Sequence, residues 1–143
     1  MNQKLGPIIV IEDDPDDQEF MQIAFKSLAC PNEIIFFSDG YKALEFIKTT
    51  DVKPFLILSD INMPKINGME LKRNIQNNEE LKVKCIPYLF FTTGLNRKAV
   101  FDAYSMSAQG FFIKPPSTIQ LEQTLRKIIE YWTECYAPSQ YIE

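Results

Sequence analysis

Carboxylates follow directly after two apolar segments of the chain. Glu12 and Asp13 come after the run 8–11, and Asp60 follows the run 55–58 with only Ser59 between them. Both runs are continuous rather than alternating, which is typical of strands covered on both faces. If these strands are neighbours, the acids meet at one sheet edge and repel one another unless a proton or a divalent cation lies between them. The pattern predicts a cation site that contains Asp13 and Asp60.

The available ligand atoms indicate which cation this site would take. The chain has no histidine, and its three cysteines, Cys30, Cys85 and Cys135, lie far apart. Oxygen ligands alone select a hard ion, with Mg²⁺ preferred and Mn²⁺ or Ca²⁺ as substitutes. We therefore expect Mg²⁺ as the cofactor. The lack of imidazole also excludes Ser-His-Asp and Cys-His catalysis.

Two more polar residues follow the last two apolar runs. Thr92 comes after the run 88–91, and Lys114 comes after the run 111–113. Taken separately, Thr92 fits an ordinary β-branched strand residue and Lys114 an exposed strand end. Combined with the acids, a hydroxyl and an ammonium group suit the oxygens of a phosphoryl group. Asp60 would be the catalytic nucleophile, assisted by Lys114 and Thr92.

The other acids of the first cluster have a simpler interpretation. Asp16, Asp17 and Glu19 begin a predicted helix, where carboxylates are stabilised by the positive end of the helix dipole. We assign these three residues to the solvated start of that helix and not to the cation site.

The elements that must position these residues alternate along the chain. Five apolar runs predicted as strands, separated by amphipathic stretches predicted as helices, are residues 8–11, 34–37, 55–58, 88–91 and 111–113. Predicted helix starts are Asp14 before Pro15, Asn67 with Glu70, and Ser117 with Gln120. Alternating βα units predict an α/β fold with a five-stranded parallel sheet, doubly wound as (βα)5 in three layers. Ligands would bind beyond the carboxyl ends of the strands.

Length and composition restrict the class of protein. A chain of 143 residues fits one domain, predicted over 1–143 with a core at about 8–133 and a C-terminal tail at 134–143. The formal charge of −4 disfavours nucleic acid and anionic membranes as partners. The N-terminal segment is too short for a signal peptide, and no apolar run is long enough for a membrane span. We expect a cytoplasmic protein with buried, reduced thiols.

The set of motifs resembles the response regulator receiver domain of two-component signalling. The residues that carry the resemblance are the acidic pair Glu12-Asp13, the phosphoacceptor Asp60, the loop residues Met63-Pro64 and Gly68, the switch hydroxyl Thr92, and the pair Lys114-Pro115. The similarity runs from about residue 8 to residue 132 and preserves motif order, so it is more specific than any single motif. It implies a CheY-like, flavodoxin-like fold.

This resemblance implies a ligand set and partners. The metal would be held by the side chains of Asp13 and Asp60, by the main-chain carbonyl of Asn62, and by Glu12 through a water molecule. The phosphoryl group would come from a sensor histidine kinase or a histidine phosphotransfer protein. The output would go to a downstream protein target or a homodimer. Such a receiver is a signalling phosphoacceptor rather than an enzyme, since it catalyses only its own phosphotransfer and autodephosphorylation.

The resemblance also implies a switch formed by Thr92 and Phe111. The phosphoryl group would attract the Thr92 hydroxyl, and Phe111 would rotate into the space and change the surface of the fourth helix, fifth strand and fifth helix. A core aromatic with one rotamer is the alternative for Phe111. Phe111 stands where the family often has tyrosine, Thr93 replaces a smaller residue, and Pro116 extends the usual lysine-proline pair. We expect the Lys114–Pro115 bond to be cis, as in the family.

A narrower resemblance concerns the C-terminal helix. Its ending Glu130-Tyr131-Trp132, together with the chain length and the lack of an output domain, resembles stand-alone receivers that partner bacteriophytochrome-type histidine kinases. The apolar stripe of this helix, near Leu125, Ile129 and Trp132, is either core or a docking surface.

Three other functions stay open at this point. A haloacid-dehalogenase-type phosphatase uses a similar nucleophile but needs a second acid two residues later, where this chain has Asn62. An FMN-binding module shares the fold but cradles phosphate in a Gly/Ser/Thr-rich loop, where this chain has acids. A non-catalytic interaction module with the receiver fold is the third, although the complete set of site residues argues against it.

Overall fold

Five parallel strands form one sheet in the computed structural model, which describes residues 3–63, 65–82, 84–94 and 96–136. The strands are β1 (Ile8–Ile11), β2 (Ile34–Phe37), β3 (Leu56–Ser59), β4 (Tyr88–Thr92) and β5 (Gly110–Ile113). Their order in the sheet is β2-β1-β3-β4-β5, and every pair is parallel. The predicted sheet is confirmed, including the adjacency of β1 and β3 on which the cation site depends.

Within the described ranges, six α-helices connect and cover these strands. They are α1 (Pro15–Leu28), α2 (Gly40–Thr49), α3 (Gly68–Asn77), α4 (Glu79–Lys82), α5 (Arg97–Ser105) and α6 (Thr118–Glu134). The one-turn helix α4 was missed because four residues are too few to show a helical period. The predicted fourth and fifth helices therefore correspond to α5 and α6.

The helices cover both faces of the sheet, which confirms the doubly wound, three-layer fold. Buried residues of α1 and α6 pack on one face, and those of α2, α3, α4 and α5 pack on the other. The central strands β1, β3 and β4 are buried along their whole length, as their continuous apolar sequences predict. The edge strands β2 and β5 are mostly half-buried, because each has a neighbour on one side only.

Side-chain caps fix where the helices begin at the carboxyl edge of the sheet. The Asp14 carboxylate accepts the Asp16 N–H at 2.9 Å, with Pro15 at the first helical position. Asn67 and Glu70 form the predicted capping box, and Ser117 accepts the Gln120 N–H at 3.2 Å. These bonds satisfy amide groups that have no partner within the helix.

The structure tests the predictions for the cysteines and for the C-terminal tail. Cys85 is exposed and Cys30 and Cys135 are half-buried, so the prediction of buried thiols was wrong; all three are free. Helix α6 ends at Glu134, one residue into the predicted tail, and residues 137–143 of that tail lie outside the described ranges. The single-domain boundary stays a prediction. No helix in those ranges has both the length and the hydropathy needed to span a membrane.

The apolar stripe on α6 packs against the core. Leu125 is fully buried, and Ile129 and Trp132 pack against the same cluster of apolar residues. The core interpretation is confirmed for Leu125, whereas Ile129 and Trp132 are half-buried and a docking role for them stays a prediction.

Candidate phosphoryl and metal site

Backbone hydrogen bonds bring the two acidic segments side by side. Ile11 and Ser59 are paired in the β1–β3 register, and the Asp60 N–H donates to the Ile11 carbonyl at 3.0 Å. On the other side of β1, the Glu12 N–H donates to the Phe37 carbonyl at 2.9 Å. The residues after both strands therefore leave the sheet at the same edge, as the sequence predicts.

Three carboxyl groups meet at this edge. Carboxylate oxygens of Glu12, Asp13 and Asp60 all lie within 4.8 Å of one another. Glu12 and Asp60 are buried, with 2% and 8% of their surface exposed, whereas Asp13 is exposed. Burial raises the pKa of Glu12 to about 7, although its hydrogen bond with Lys114 acts in the opposite direction. Negative charge at this site is thus costly without a cation.

Lys114 places one ammonium group among these acids. Its Nζ donates to Glu12, to Asp17 Oδ2 at 3.0 Å and to Asp60 Oδ2 at 3.3 Å. The side chain is only 10% exposed. Burial alone would lower the pKa of Lys114, but the hydrogen bond with Glu12 and the charge of Asp60 outweigh burial and raise the pKa above its ordinary value. Lys114 is therefore a permanent cation beside the predicted nucleophile.

Asp17 is a site residue that sequence reasoning missed. We assigned it to a solvated helix start, yet its carboxylate contacts Lys114 and its side chain is two-thirds buried. No signal in the sequence singles it out, because Asp17 resembles the other acids at the start of this helix. Gln18, in the same turn, donates from its side-chain amide to the Glu12 carbonyl and fixes the backbone of the acidic segment.

The donor set fits a divalent cation. The Lys114 ammonium contacts the carboxylates of Glu12, Asp17 and Asp60, and the Asp13 carboxylate lies close to those of Glu12 and Asp60. One lysine cannot neutralise four acids, and oxygen donors are the ligands that hard divalent ions prefer. The acidic cluster therefore supports divalent-metal binding, as the sequence predicts.

A tight loop holds the backbone of Asp60. The Ile61 N–H donates to Asp60 Oδ1 at 2.7 Å, and the Gly68 N–H donates to the Ile61 carbonyl at 2.8 Å. A Cβ on Gly68 would lie 2.1 Å from the Asp60 carbonyl oxygen, so only glycine fits there. Asn62, whose carbonyl is the predicted ligand, is an exposed member of this loop. Pro64, predicted as part of it, lies outside the described residues.

Replacing Gly68 by alanine is expected to destabilise the protein by about 3 kcal/mol or more, because the new methyl group would collide with backbone rather than with a movable side chain. Gly110→Ala is the matched control, since its Cβ would meet only the ends of Leu89 and Phe112 at 3.0 Å. Urea unfolding of both variants measures the difference. Equal losses would show that the close approach at Gly68 does not matter.

The predicted switch residues, Thr92 and Phe111, lie on β4 and β5. Thr92 is buried at the end of β4, and its carbonyl accepts the Lys114 N–H at 2.7 Å. Phe111 is half-buried on β5, with its ring centroid 6.1 Å from that of Phe90. The fold therefore brings Thr92 next to the Lys114 backbone, while a switch role for either residue stays a prediction.

The Lys114–Pro115 bond differs from the expectation. Among the described residues no peptide bond is cis, so this bond is trans. The trans form is the lower-energy isomer of an X–Pro bond by about 0.5–1 kcal/mol, and only a specific local context reverses that preference. The cis expectation came from the resemblance alone and was wrong.

Comparison with known protein families decides the identity of the fold. Residues 8–126 match the family described as the response regulator receiver domain. The chain belongs to this family. As a receiver it is part of two-component signalling, whose receivers are signalling phosphoacceptors that interact with histidine kinases and downstream targets.

Two curated proteins are similar to this receiver over most of its length. A probable methanogenesis regulatory protein, FilR2 of Methanothrix harundinacea, is 30% identical over 129 residues, which is 87% of this chain and 82% of the relative. The response regulator Rcp1 of Synechocystis is 29% identical over 132 residues, covering 89% of this chain and 88% of Rcp1. Both matches extend over nearly the whole receiver.

Solved structures of similar receivers agree with the fold. The phosphorylated cyanobacterial phytochrome response regulator RcpA superposes with a TM-score of 0.82 at 28% identity, over 92% of this chain and 97% of RcpA. The Mn²⁺-bound form of Rcp1 gives a TM-score of 0.76 at 28% identity, over 92% of this chain and 97% of Rcp1. These matches confirm the CheY-like fold and the similarity to phytochrome-associated response regulators.

Proposed function

We propose that this receiver accepts a phosphoryl group from a phosphohistidine of a partner protein onto Asp60, with Mg²⁺ as cofactor. The observation that carries the proposal is the juxtaposition of Asp60 with Lys114 at 3.3 Å, inside a cluster of carboxylates that one lysine cannot neutralise. The partner supplies the imidazole that this chain lacks.

Asp60 has the features of a nucleophile in this proposal. A carboxylate oxygen attacks phosphorus, the new P–O bond forms as the P–N bond of the phosphohistidine breaks, and the imidazole leaves. Lys114 stands close enough to neutralise charge on the transferring oxygens, and Thr92 would donate its hydroxyl to one of them. Hydrolysis of the resulting aspartyl phosphate by water returns the receiver to its starting state.

Mg²⁺ fits the donors that the chain presents. Asp13 and Asp60 would supply side-chain oxygens, Asn62 its main-chain carbonyl, and Glu12 a contact through water. A bound Mg²⁺ supplies charge neutralisation for the phosphoryl oxygens. The Mn²⁺-bound form of the relative Rcp1 supports a divalent ion in this role, with Mn²⁺ and Ca²⁺ as substitutes.

The surface that would respond lies on α5, β5 and α6. Phe101 and Tyr104 on α5 are 65% and 56% exposed, and Ile113 on β5 is 41% exposed. Ile113 is two residues from Phe111, so rotation of Phe111 would alter the shape of this apolar face. A downstream protein or a second copy of the chain is the proposed reader of that face. The RcpA relative suggests a phytochrome-type kinase as the donor.

Incubation with Mg²⁺ and acetyl phosphate, followed by intact mass, tests the proposal. We expect the parent protein to gain one phosphoryl group, and a chelator to prevent this gain because the carboxylates then repel the incoming phosphate. If the protein gains no phosphoryl group in the presence of Mg²⁺, either from acetyl phosphate or from a histidine kinase, the result would favour the non-catalytic interaction module. Turnover of a generic phosphomonoester would favour a phosphatase, and a yellow flavin-containing preparation an FMN module. The cytoplasmic location stays a prediction.

A further inference from the structure

Tyr88 is a buried hydroxyl-bearing residue that the proposed chemistry does not use. It begins β4, is 1% exposed, and its ring meets that of Phe90 edge-on with centroids 5.2 Å apart. Its backbone is fixed independently, because the Tyr88 N–H donates to Gln109 Oε1 at 2.8 Å and its carbonyl accepts the Gln109 N–H at 3.0 Å. A buried tyrosine hydroxyl needs hydrogen-bond partners.

This hydroxyl holds one end of the loop that carries Asp60 and Asn62. The Tyr88 hydroxyl donates its one proton to the Gly68 carbonyl at 3.0 Å, at the point where the loop enters α3. At the start of the loop, the Ser59 hydroxyl donates to the Asp60 carbonyl at 2.8 Å. Tyr88 thus fixes the Gly68 end of the loop directly.

Because Gly68 packs closely against Asp60, a hydrogen bond that holds Gly68 also restrains the backbone of Asp60. The Asp60 carbonyl packs against the Gly68 Cα so tightly that a methyl group would not fit between them, and the Gly68 N–H closes the loop onto the Ile61 carbonyl. Any movement of Gly68 therefore displaces the backbone of Asp60 and its neighbours. The Tyr88 hydroxyl resists that movement because it is hydrogen-bonded to the Gly68 carbonyl.

Lys72 holds the tyrosine ring from the side of α3. Its Nζ lies 5.8 Å from the centre of the Tyr88 ring and donates to Gln76 Oε1 at 3.2 Å. The residue is 5% exposed. An ammonium group facing an aromatic ring is attracted by the negative face of that ring, and more strongly when both are removed from water.

We propose that Tyr88 is a positioning residue whose hydroxyl clamps the Gly68 end of the Asp60–Gly68 loop and, through the close packing of Gly68 against the Asp60 carbonyl, sets how well the Asp60 carboxylate and the Asn62 carbonyl hold the cation. This inference rests on the proposed function, because it concerns the same Mg²⁺ site. It adds a residue that does not contact the cation or the phosphoryl group.

Tyr88→Phe removes only the hydroxyl and tests the clamp. We expect the Gly68 amide to exchange hydrogen about tenfold faster in metal-free protein, since loss of one buried hydrogen bond changes a local opening equilibrium by roughly that factor. Calorimetric titration with Mg²⁺ is expected to show a dissociation constant raised about fivefold, because part of that loss falls on the liganding loop.

Ile75→Val is the control for a general loss of stability. Ile75 lies on the same helix in the core, away from the loop, and the loss of one buried methylene destabilises a protein to a similar degree. The inference requires that Ile75→Val leave the Gly68 exchange rate and the Mg²⁺ dissociation constant unchanged. Equal values for Tyr88→Phe and the parent, or equal changes in both variants, would overturn it.

Phosphorylation of the parent separates this inference from the proposed function. If the parent is phosphorylated and Tyr88→Phe matches it in amide exchange and Mg²⁺ affinity, the clamp is wrong and the function stands. If the parent neither binds Mg²⁺ nor takes up a phosphoryl group, both are wrong.

Discussion

Asp60→Asn is expected to abolish uptake of a phosphoryl group from acetyl phosphate or from a kinase. The amide keeps the shape of the side chain and its hydrogen bond with the Ile61 N–H, but an amide oxygen cannot form a stable acyl phosphate. Intact mass measured after incubation with Mg²⁺ should show no added phosphoryl group. The loss should therefore be complete rather than partial.

Asp16→Asn is the matched control for this variant. Asp16 lies in the same acidic segment, is exposed, and is engaged through its backbone N–H with Asp14. We expect it to be phosphorylated like the parent, because only its charge changes. A phosphoryl group on Asp60→Asn, or its loss from Asp16→Asn, would contradict the assignment of Asp60.

Lys114→Met is expected to have the second largest effect, on both phosphorylation and stability. Removing the ammonium leaves the buried Glu12 and Asp60 without the cation that pairs with them. Loss of one partner of a buried ion pair lowers the free energy of unfolding by about 3–5 kcal/mol. The phosphorylation rate should fall about a hundredfold or more, as when one preorganised charge at a reacting oxygen is removed. Urea unfolding and time-resolved intact mass measure the two effects.

Two further variants show whether the loss of stability comes from the carboxylates. Lys98→Met removes an 87% exposed lysine paired with Asp102 on α5 and should change stability by less than about 1 kcal/mol. In alkaline solution, where the Glu12 carboxyl is ionised, the double variant Glu12→Gln/Lys114→Met should regain part of the lost stability, since one buried charge is neutralised. No recovery in the double variant would mean that Lys114 acts through packing and not through its charge.

Much of the fold and most of the site follow from the sequence by short-range rules. Continuous apolar runs predict buried strands, and parallel strands must present their carboxyl ends at one edge. Those two rules place Glu12, Asp13 and Asp60 at one edge, and the adjacency of β1 and β3 in the sheet brings them together. Lys114 and Thr92 follow from the same rule applied to β4 and β5.

The features that were missed depend on tertiary distances. Asp17 resembles any other acid at a helix start, and only the position of Lys114 across the site shows that it takes part. Whether the stripe on α6 faces the sheet or a partner is not encoded in its periodicity, because both give the same pattern. The short helix α4 and the exposure of Cys85 are set by local packing between larger elements.

Trapping the phosphorylated residue tests the central claim most directly. Borohydride reduces an aspartyl phosphate to homoserine, and peptide sequencing by mass spectrometry then identifies the position. After incubation of the parent with Mg²⁺ and acetyl phosphate, we expect homoserine at position 60. Conversion at Asp13 or at any other acid, with position 60 unchanged, would contradict the account.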